Sequence, residues 1–435
     1  MLIRFRAKNF KSLLDEQELS FVASNAIEDN EIAISLLTED VKLLPAAALY
    51  GANASGKTNV LGALEHMVLA LRVQASGNFG RGSLSYLPFL LDNKSSKESS
   101  EFEIEFTHDG VRYRYGFSYK DSTIEEEWLY AYPKGQPQGW FHRSKNTYKF
   151  SRMLKGRNQT IADITNPSVL FLASAVVHNH KQLTDVFEWF VNYIQFSKPT
   201  NFGERMFLSM RAAQDDDLRD SIKQILALAD LGISDFHVVD NTPDDEKRAF
   251  QDKIVAAFTD IFSEDEKWET SEFDELMAEV RREVQFGHKA KGASVVYLDF
   301  DRESRGTKTL FTYITPILWA LDVGGLLVID EIENSLHPVI ARQLIQLFQT
   351  KETNPNGAQL LFTTHSTGLL RDNLMRRDQI WFTEKGNSGE THLYPLSDYG
   401  PRKSENLERG YLQGRYGAIP FLGNIDDAFI GRHDD

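Results

Sequence analysis

Gly51-Ala-Asn-Ala-Ser-Gly-Lys-Thr58 decides how this 435-residue chain is read. The stretch fits the phosphate-loop spacing Gly-x-x-x-x-Gly-Lys-Ser/Thr, and its flanks supply the context that this spacing needs. Before it, Leu43 to Tyr50 is nearly all apolar, which predicts a central strand of a parallel sheet covered on both faces. After it, Val60, Leu61, Leu64, Met67, Val68 and Leu71 recur at helical spacing and predict a helix of about four turns. Strand, glycine loop and helix in this order converge backbone N–H groups at a helix N-terminus, whose dipole favours an anion. In such a loop Lys57 bridges the β- and γ-phosphates and the Thr58 hydroxyl coordinates Mg²⁺.

Two later stretches end at what should be the same sheet edge. Leu326-Leu-Val-Ile-Asp330-Glu331 sets two acids after an apolar strand, and ligands of α/β sheets bind at that edge. The spacing assigns Asp330 to Mg²⁺, held through water, and Glu331 to the attacking water as its base. Gln359-Leu-Leu-Phe-Thr363 runs into Thr364-His365-Ser366, which brings the His365 imidazole to the γ-phosphate or the attacking water. The candidate catalytic set is therefore Lys57, Glu331 and His365, with Thr58 and Asp330 on the metal.

Composition bounds the chemistry. Zero cysteines exclude disulfides, thiolate nucleophiles and zinc-thiolate sites, so a metal would have to rely on oxygen or imidazole. No apolar run approaches the roughly 20 residues of a membrane span, and Met1 to Lys8 alternates charge with apolar residues rather than forming a signal peptide. A cytoplasmic protein without membrane contact is expected. The net charge of −15 argues against nucleic acid only as an average. Asn201 to Val280 holds 8 Lys/Arg against 21 Asp/Glu, whereas Lys134 to Arg157 holds seven Lys/Arg and no carboxylate, interleaved with Trp140, Phe141, Tyr148 and Phe150. The basic stretch reads either as a nucleic-acid contact or as a solvated hairpin, and the acidic one as a solvated helical face or a docking surface for a basic partner.

Period changes divide the chain into an α/β head and its additions. Residues 2–8 alternate as a half-buried strand; about 101–150 reads as an antiparallel meander, with turns at Asp109-Gly110 and Asp121-Ser122, forming a β-rich arm. Helical patterns follow from Gln182 (Val186, Phe190, Val191, Ile194), over Ser221 to Asp230 and over Lys247 to Phe262. No heptad persists, so no long coiled coil is expected. Strand, helix, strand, helix, strand then return at 294–300, 306–322, 325–330, 337–349 and 358–364. The expected division is 1–180 (N-terminal half of the head with the β arm), 181–283 (acidic helical insertion) and 284–435 (C-terminal half and tail).

These motifs, in this order, resemble the P-loop ATPases of the ABC class, in the branch whose heads look like those of chromosome-maintenance and recombination-repair proteins. Residues 1–75 and about 285–370 carry the likeness, including Asn9-Phe10-Lys11-Ser12 and the loop residues Gly51, Asn53, Ser55, Gly56, Lys57, Thr58 and Asn59. The resemblance implies ATP and Mg²⁺ as cofactors. It also implies that Ser304-Arg305-Gly306-Thr307-Lys308 is a signature motif, whose Ser304, Gly306 and Thr307 contact nucleotide held by a second subunit. Independently of the likeness, a Ser-x-Gly-Thr element can simply cap a helix. Arg305 stands where transporter ATPases carry glycine. Asn334-Ser335-Leu336-His337-Pro338 takes the place of the loop that crosses the dimer interface, with His337 also readable as a helix-start residue. Gln182 and Gln195 are the candidates for the glutamine that links the γ-phosphate to the arms.

Only 247 residues separate Lys57 from Ser304, too few for long arms, and 70 follow His365, too few for a fused nuclease domain. With the tail Glu408-Arg-Gly-Tyr411-Leu-Gln-Gly-Arg415-Tyr-Gly-Ala-Ile-Pro420-Phe, the chain looks like the small stand-alone prokaryotic AAA-family ATPases of antiphage or abortive-infection modules, RloA-like and AbiLi-like proteins among them. That likeness implies a homodimer or larger oligomer formed around ATP, which senses infection and controls a separately encoded effector, for example a nuclease. An ATP-gated scaffold with incidental turnover and a repair-type ATPase working on nucleic acid through 134–157 are the alternatives.

Overall fold

The computed structural model describes residues 1–25, 27, 35–36, 41–77, 84–229, 232–240, 282–292, 294–402 and 405–420. Its centre is a six-stranded sheet built from both ends of the chain. In order across the sheet these strands are β11 (Ile194–Ser197), β15 (Leu326–Ile329), β16 (Gln359–Thr363), β5 (Ala46–Gly51), β17 (Ile380–Lys385) and β18 (Thr391–Pro395). The first five run parallel and β18 pairs antiparallel with β17. Successive side chains of a strand point to opposite faces, and β5 uses both. Ala47 and Leu49 join one hydrophobic core, while Ala46, Ala48 and Tyr50 join another. The uninterrupted apolar run before the glycine loop is thus a strand with no wet face.

The first core lies between this sheet and a second, seven-stranded antiparallel one, ordered β10 (Thr147–Phe150), β9 (Gln138–Ser144), β8 (Thr123–Tyr132), β7 (Val111–Lys120), β6 (Ser100–His108), β1 (Leu2–Lys8) and β2 (Gln17–Ser20). Helices α1 (Lys57–Ala75), α2 (Asn158–Ile164), α3 (Phe171–Val177) and α4 (Lys181–Asn192) contribute to the same core. The expected β-rich arm is therefore a layer of the head. Phe102, Ile104, Phe106, Tyr115 and Phe117 alternate inward and are fully buried, and burying that area outweighs extending a free meander into water. The turns at 109–110 and 121–122 fall where the sequence places them.

The second core lies on the opposite face, beneath α5 (Phe202–Ala212), α6 (Asp216–Leu228), α7 (Arg305–Val323), α8 (Pro338–Gln349) and α9 (Leu407–Leu412). A three-stranded sheet, β12 (Ile233–Asp240), β13 (Arg282–Lys289) and β14 (Val295–Asp299), adds Phe236, Val284 and Phe286 to it. A short ladder joins β3 (Ser35–Leu36) to β4 (Lys42–Leu43).

The boundary expected at 181 needs correction. α4 buries Leu183, Val186, Trp189 and Phe190 in the first core, and Ile194 lies in strand β11, not in a helix, with β11 forming the edge of the central sheet. This part of the proposed insertion belongs to the head because its apolar stripe completes that core. The 216–228 helix and the 282–289 strand then pack on the second core; the helix expected over Lys247 to Phe262 lies outside the described residues. The longest described helices, α1 and α7, have 19 residues each, so no long coiled coil is present among the described residues. Among them, too, no helix is long and apolar enough to cross a membrane.

Candidate nucleotide site

The chain leaves β5 at Gly51 and enters α1 at Lys57, so the glycine loop lies at the C-terminal edge of the central sheet. Gly56 has φ of 110°, and a Cβ there would stand 2.0 Å from Thr391 Oγ1, so both backbone and space require glycine. Lys57 Nζ donates to the carbonyls of Gly51 (2.9 Å) and Ala52 (3.2 Å) and so lies along the loop. Burial lowers the Lys57 ammonium's pKa, and the carboxylates of Asp330, Glu331 and Glu333 oppose that shift. Asn53 and Thr58 are exposed.

The side chains of two loop residues face inward. The buried Ser55 hydroxyl shares a 2.6 Å hydrogen bond with Thr383 Oγ1, and Asn59 Nδ2 donates to Ser12 Oγ at 2.7 Å. Thr391 donates to the Ser55 carbonyl (2.9 Å) and shares a bond with the Ser12 hydroxyl (2.7 Å). Asn9-Phe10-Lys11-Ser12 and the β17–β18 hairpin thus hold the loop from behind.

The carboxylates arrive at the same edge. Thr58 Oγ1 lies 3.2 Å from Asp330 Oδ2, and Thr363 Oγ1 donates to Asp330 Oδ1 at 2.6 Å. The Glu331 N–H donates to that threonine at 2.7 Å, while Glu331 has φ of 55°, a left-handed conformation that turns the exposed residue away from the strand line. A non-glycine residue held there is strained and needs such fixing. His365 is exposed two residues beyond β16, its N–H donating to Glu333 Oε1 at 2.5 Å. Partial desolvation and the Lys57 ammonium hold the His365 imidazole below its ordinary value, against the pull of Glu333, Glu331 and Asp330. That shift favours the neutral ring, which can accept a proton or a hydrogen bond. Among the described residues no three His, Cys, Asp or Glu side chains converge as a metal cage. The Thr58 hydroxyl and the Asp330 carboxylate fit Mg²⁺, which takes few protein ligands and completes its shell with water and phosphate oxygens.

Ser304 caps α7, its Oγ accepting the Thr307 N–H at 3.1 Å and sharing a 2.9 Å bond with the Thr307 hydroxyl. Thr307 is buried and its hydroxyl is engaged in the cap. Gly306 lies against the loop before α8: a Cβ on it would stand 2.9 Å from Ser335 O. Ser304 and Arg305 are exposed beside Asn334 and Ser335. His337 is the N-cap of α8.

Neither candidate glutamine lies at the C-terminal edge of the central sheet. Gln182 Oε1 accepts the Lys155 N–H at 2.6 Å, and Gln195 sits inside β11 opposite Leu327. Ser197 and Lys198 end that strand instead; the Ser197 carbonyl accepts the Asp330 N–H, and Lys198 pairs with Glu65 of α1. The basic stretch 134–157 also reads differently in three dimensions. Arg143 is fully buried, donating to the carbonyls of Val169 (2.5 Å) and Pro167 (3.1 Å), with Glu127 3.6 Å away. Trp140 and Phe141 are buried and Tyr148 and Phe150 pack on Phe171, so its aromatics serve the core rather than bases.

The sequence assigns no role to Thr363, Thr383, Thr391, Ser12, Ser197 or Glu333. Ser12 carries a signal as the end of Asn9-Phe10-Lys11-Ser12, and Thr363 as the last residue of a strand ending level with Asp330.

No curated protein matches this chain. Among solved structures, it is similar to "Crystal structure of the SmcHead bound to the C-winged helix domain of ScpA", with 15% identity, a TM-score of 0.39, and coverage of 91% of this chain and 97% of that one. A second, from Pyrococcus furiosus, is an Smc head domain with an extended coiled coil bound to the C-terminal domain of ScpA (13% identity, TM-score 0.41, 91% and 96% covered). A family model described as "AAA domain, putative AbiEii toxin, Type IV TA system" matches residues 46–371, which run from β5 past His365. The chain belongs to that family and carries a nucleotide-binding AAA ATPase domain.

Proposed function

We propose that the chain hydrolyses ATP with Mg²⁺ between two copies of itself, and that this cycle controls a separately encoded effector in an antiphage module of the RloA-like or AbiLi-like kind. The observation that carries the catalytic part is the hydrogen-bonded run Thr58–Asp330–Thr363–Glu331 at one sheet edge. Thr58 and Asp330 would hold Mg²⁺, which when bound offsets charge on the β- and γ-phosphates. Lys57 leaves its loop carbonyls for the phosphate oxygens. Glu331 orients water and takes its proton, and neutral His365 hydrogen-bonds the γ-phosphate or that water. Ser304 is exposed and Gly306 lies beside it against Ser335, which supports their contacting a nucleotide held by the other copy. The family description names a toxin and a toxin–antitoxin system, and this supports a paired-gene setting.

Glu331→Gln should keep ATP, lose turnover and accumulate a nucleotide-bound dimer, read by light scattering on a sizing column. Lys57→Ala should lose nucleotide binding. Wild-type turnover in Glu331→Gln overturns the catalytic assignment. Phage protection retained by Glu331→Gln but lost by Lys57→Ala makes ATP a structural clamp instead.

A further inference from the structure

The tail Glu408-Arg-Gly-Tyr411-Leu-Gln-Gly-Arg415-Tyr-Gly-Ala-Ile-Pro420 has no part in the site described so far, yet it packs against two segments that build it. The Asn406 side chain caps α9 by accepting the Arg409 N–H at 2.8 Å. The chain then folds back on itself. The Tyr411 hydroxyl donates to the Ala418 carbonyl at 3.1 Å, and a Cβ on Gly410 would stand 2.5 Å from the Tyr416 hydroxyl. Tyr411 and Tyr416 both stack on Phe382 of β17, and the Tyr394 hydroxyl of β18 donates to the Tyr416 carbonyl at 3.0 Å. Tyr411 also meets Tyr50, the residue before Gly51, edge to face with ring centroids 5.9 Å apart. As far as Pro420 the tail is thus anchored on the central sheet.

From this base Glu408 reaches the His365 loop. Its carboxylate, in a residue only 9% exposed, accepts the Thr367 hydroxyl at 3.0 Å and pairs with the Arg371 guanidinium. A carboxylate largely removed from water needs such partners, and Glu408 takes both from one short segment. That segment, 364–371, has only the turn Thr367–Leu370 as regular structure. At its other end Glu333 accepts the His365 N–H at 2.5 Å, and the Tyr50 hydroxyl donates to the Ser366 carbonyl at 3.4 Å. The backbone is therefore held on both sides of His365, and the direction in which a ring leaves its backbone follows from that backbone.

We infer that Glu408 is a positioning residue for His365, and that the tail is a brace which sets the 364–371 loop, and through it the imidazole, for ATP hydrolysis. The inference rests on the role proposed above for His365. Displacing a group that hydrogen-bonds the reacting phosphate or water costs rate. Nucleotide binding is spared, because the glycine loop is held by Ser12, Thr383 and Thr391.

The test is steady-state ATP turnover with Mg²⁺ by the full chain as wild type, Glu408→Ala, His365→Ala and both together. Glu408→Ala should lower kcat about tenfold with KM for ATP within about twofold of wild type, and Glu408→Gln, which keeps an acceptor for Thr367, should recover part of the loss. In the His365→Ala chain, Glu408→Ala should change kcat by less than about twofold, because the group that it positions is gone. If Glu408→Ala does not fold, Thr367→Val with Arg371→Gln removes the same two bonds from the loop's side and is read in its place. Wild-type kcat in Glu408→Ala, or a loss as large in the His365→Ala chain as in wild type, overturns the inference and leaves His365 catalytic. Wild-type kcat in His365→Ala overturns the catalytic role of His365, and the positioning role with it.

Discussion

Thr363 donates its hydroxyl to Asp330 across 2.6 Å and accepts the Glu331 N–H at 2.7 Å, so one side chain of β16 fixes both acids at the end of β15. Thr363→Val keeps the shape and removes both bonds. The buried Asp330 carboxylate and the Glu331 N–H then lose a partner each, at about 1–3 kcal/mol per unsatisfied group. Mg²⁺-dependent ATP turnover should fall by at least about tenfold, with a higher Mg²⁺ requirement and ATP binding largely kept. Turnover against Mg²⁺ concentration checks this; a profile like wild type would remove Thr363 from the site.

Gly56→Ala should abolish nucleotide binding while leaving the chain folded. Its φ of 110° is unfavourable for alanine, and the added Cβ would meet Thr391 Oγ1 at 2.0 Å, so the loop must move. Gly77, with φ of 80° and nothing within 4 Å of a Cβ, is the matched control. Its alanine variant bears only the backbone strain, about 1 kcal/mol. Thermal shift with and without ATP separates the two, since ligand-linked stabilisation vanishes only in Gly56→Ala.

Arg143→Ala should unfold the hairpin end of the antiparallel layer rather than weaken contact with nucleic acid. Glu127, fully buried, accepts the N–H groups of Phe171 (2.6 Å) and Leu172 (3.0 Å) and the Tyr115 hydroxyl (3.0 Å). Removing its counter-ion leaves a buried carboxylate, at about 3–5 kcal/mol. Neutralising exposed Lys145 and Lys149 should cost almost nothing. Urea denaturation checks both. DNA affinity that falls with Lys145 and Lys149 in folded protein, with a steep salt dependence, would restore a nucleic-acid role to this face.

The parts of the site that depend on local order were legible in the sequence. The buried run before Gly51, the helix after it, and the strands ending at Asp330 and Thr363 all lie where apolar periodicity places them. Contacts closed by distant segments were not. Thr383 and Thr391 meet the loop across 328 and 336 residues, and nothing in their own neighbourhoods marks them. The antiparallel strands of 101–150 were legible in the same way, but their place as a layer over the head was not. Alternation reveals that one face of a meander is buried, not which helices bury it. Likewise Arg143 counts as charge in a composition window, whereas its burial follows from the carbonyls of 167 and 169.

The His66 imidazole makes stability depend on pH in a way that one substitution isolates. It packs against Phe10, Phe102 and Tyr119, with Nε2 2.8 Å from the Tyr119 hydroxyl, which itself donates to the Ser85 carbonyl. Burial, with the nearby Lys11 ammonium, lowers its pKa from 6.5 to about 4. Between those values the unfolded chain binds one more proton than the fold, so this contribution is complete above pH 6.5 and is lost as the pH falls toward 4. At pH 4.5 the loss should reach about 2–3 kcal/mol. His66→Gln keeps a donor for Tyr119 and removes the titration. Relative to wild type, its unfolding free energy should be lower at pH 7.5 and should recover by about 2–3 kcal/mol at pH 4.5. Parallel pH dependences for the two proteins in urea would show that His66 does not stay neutral in the fold.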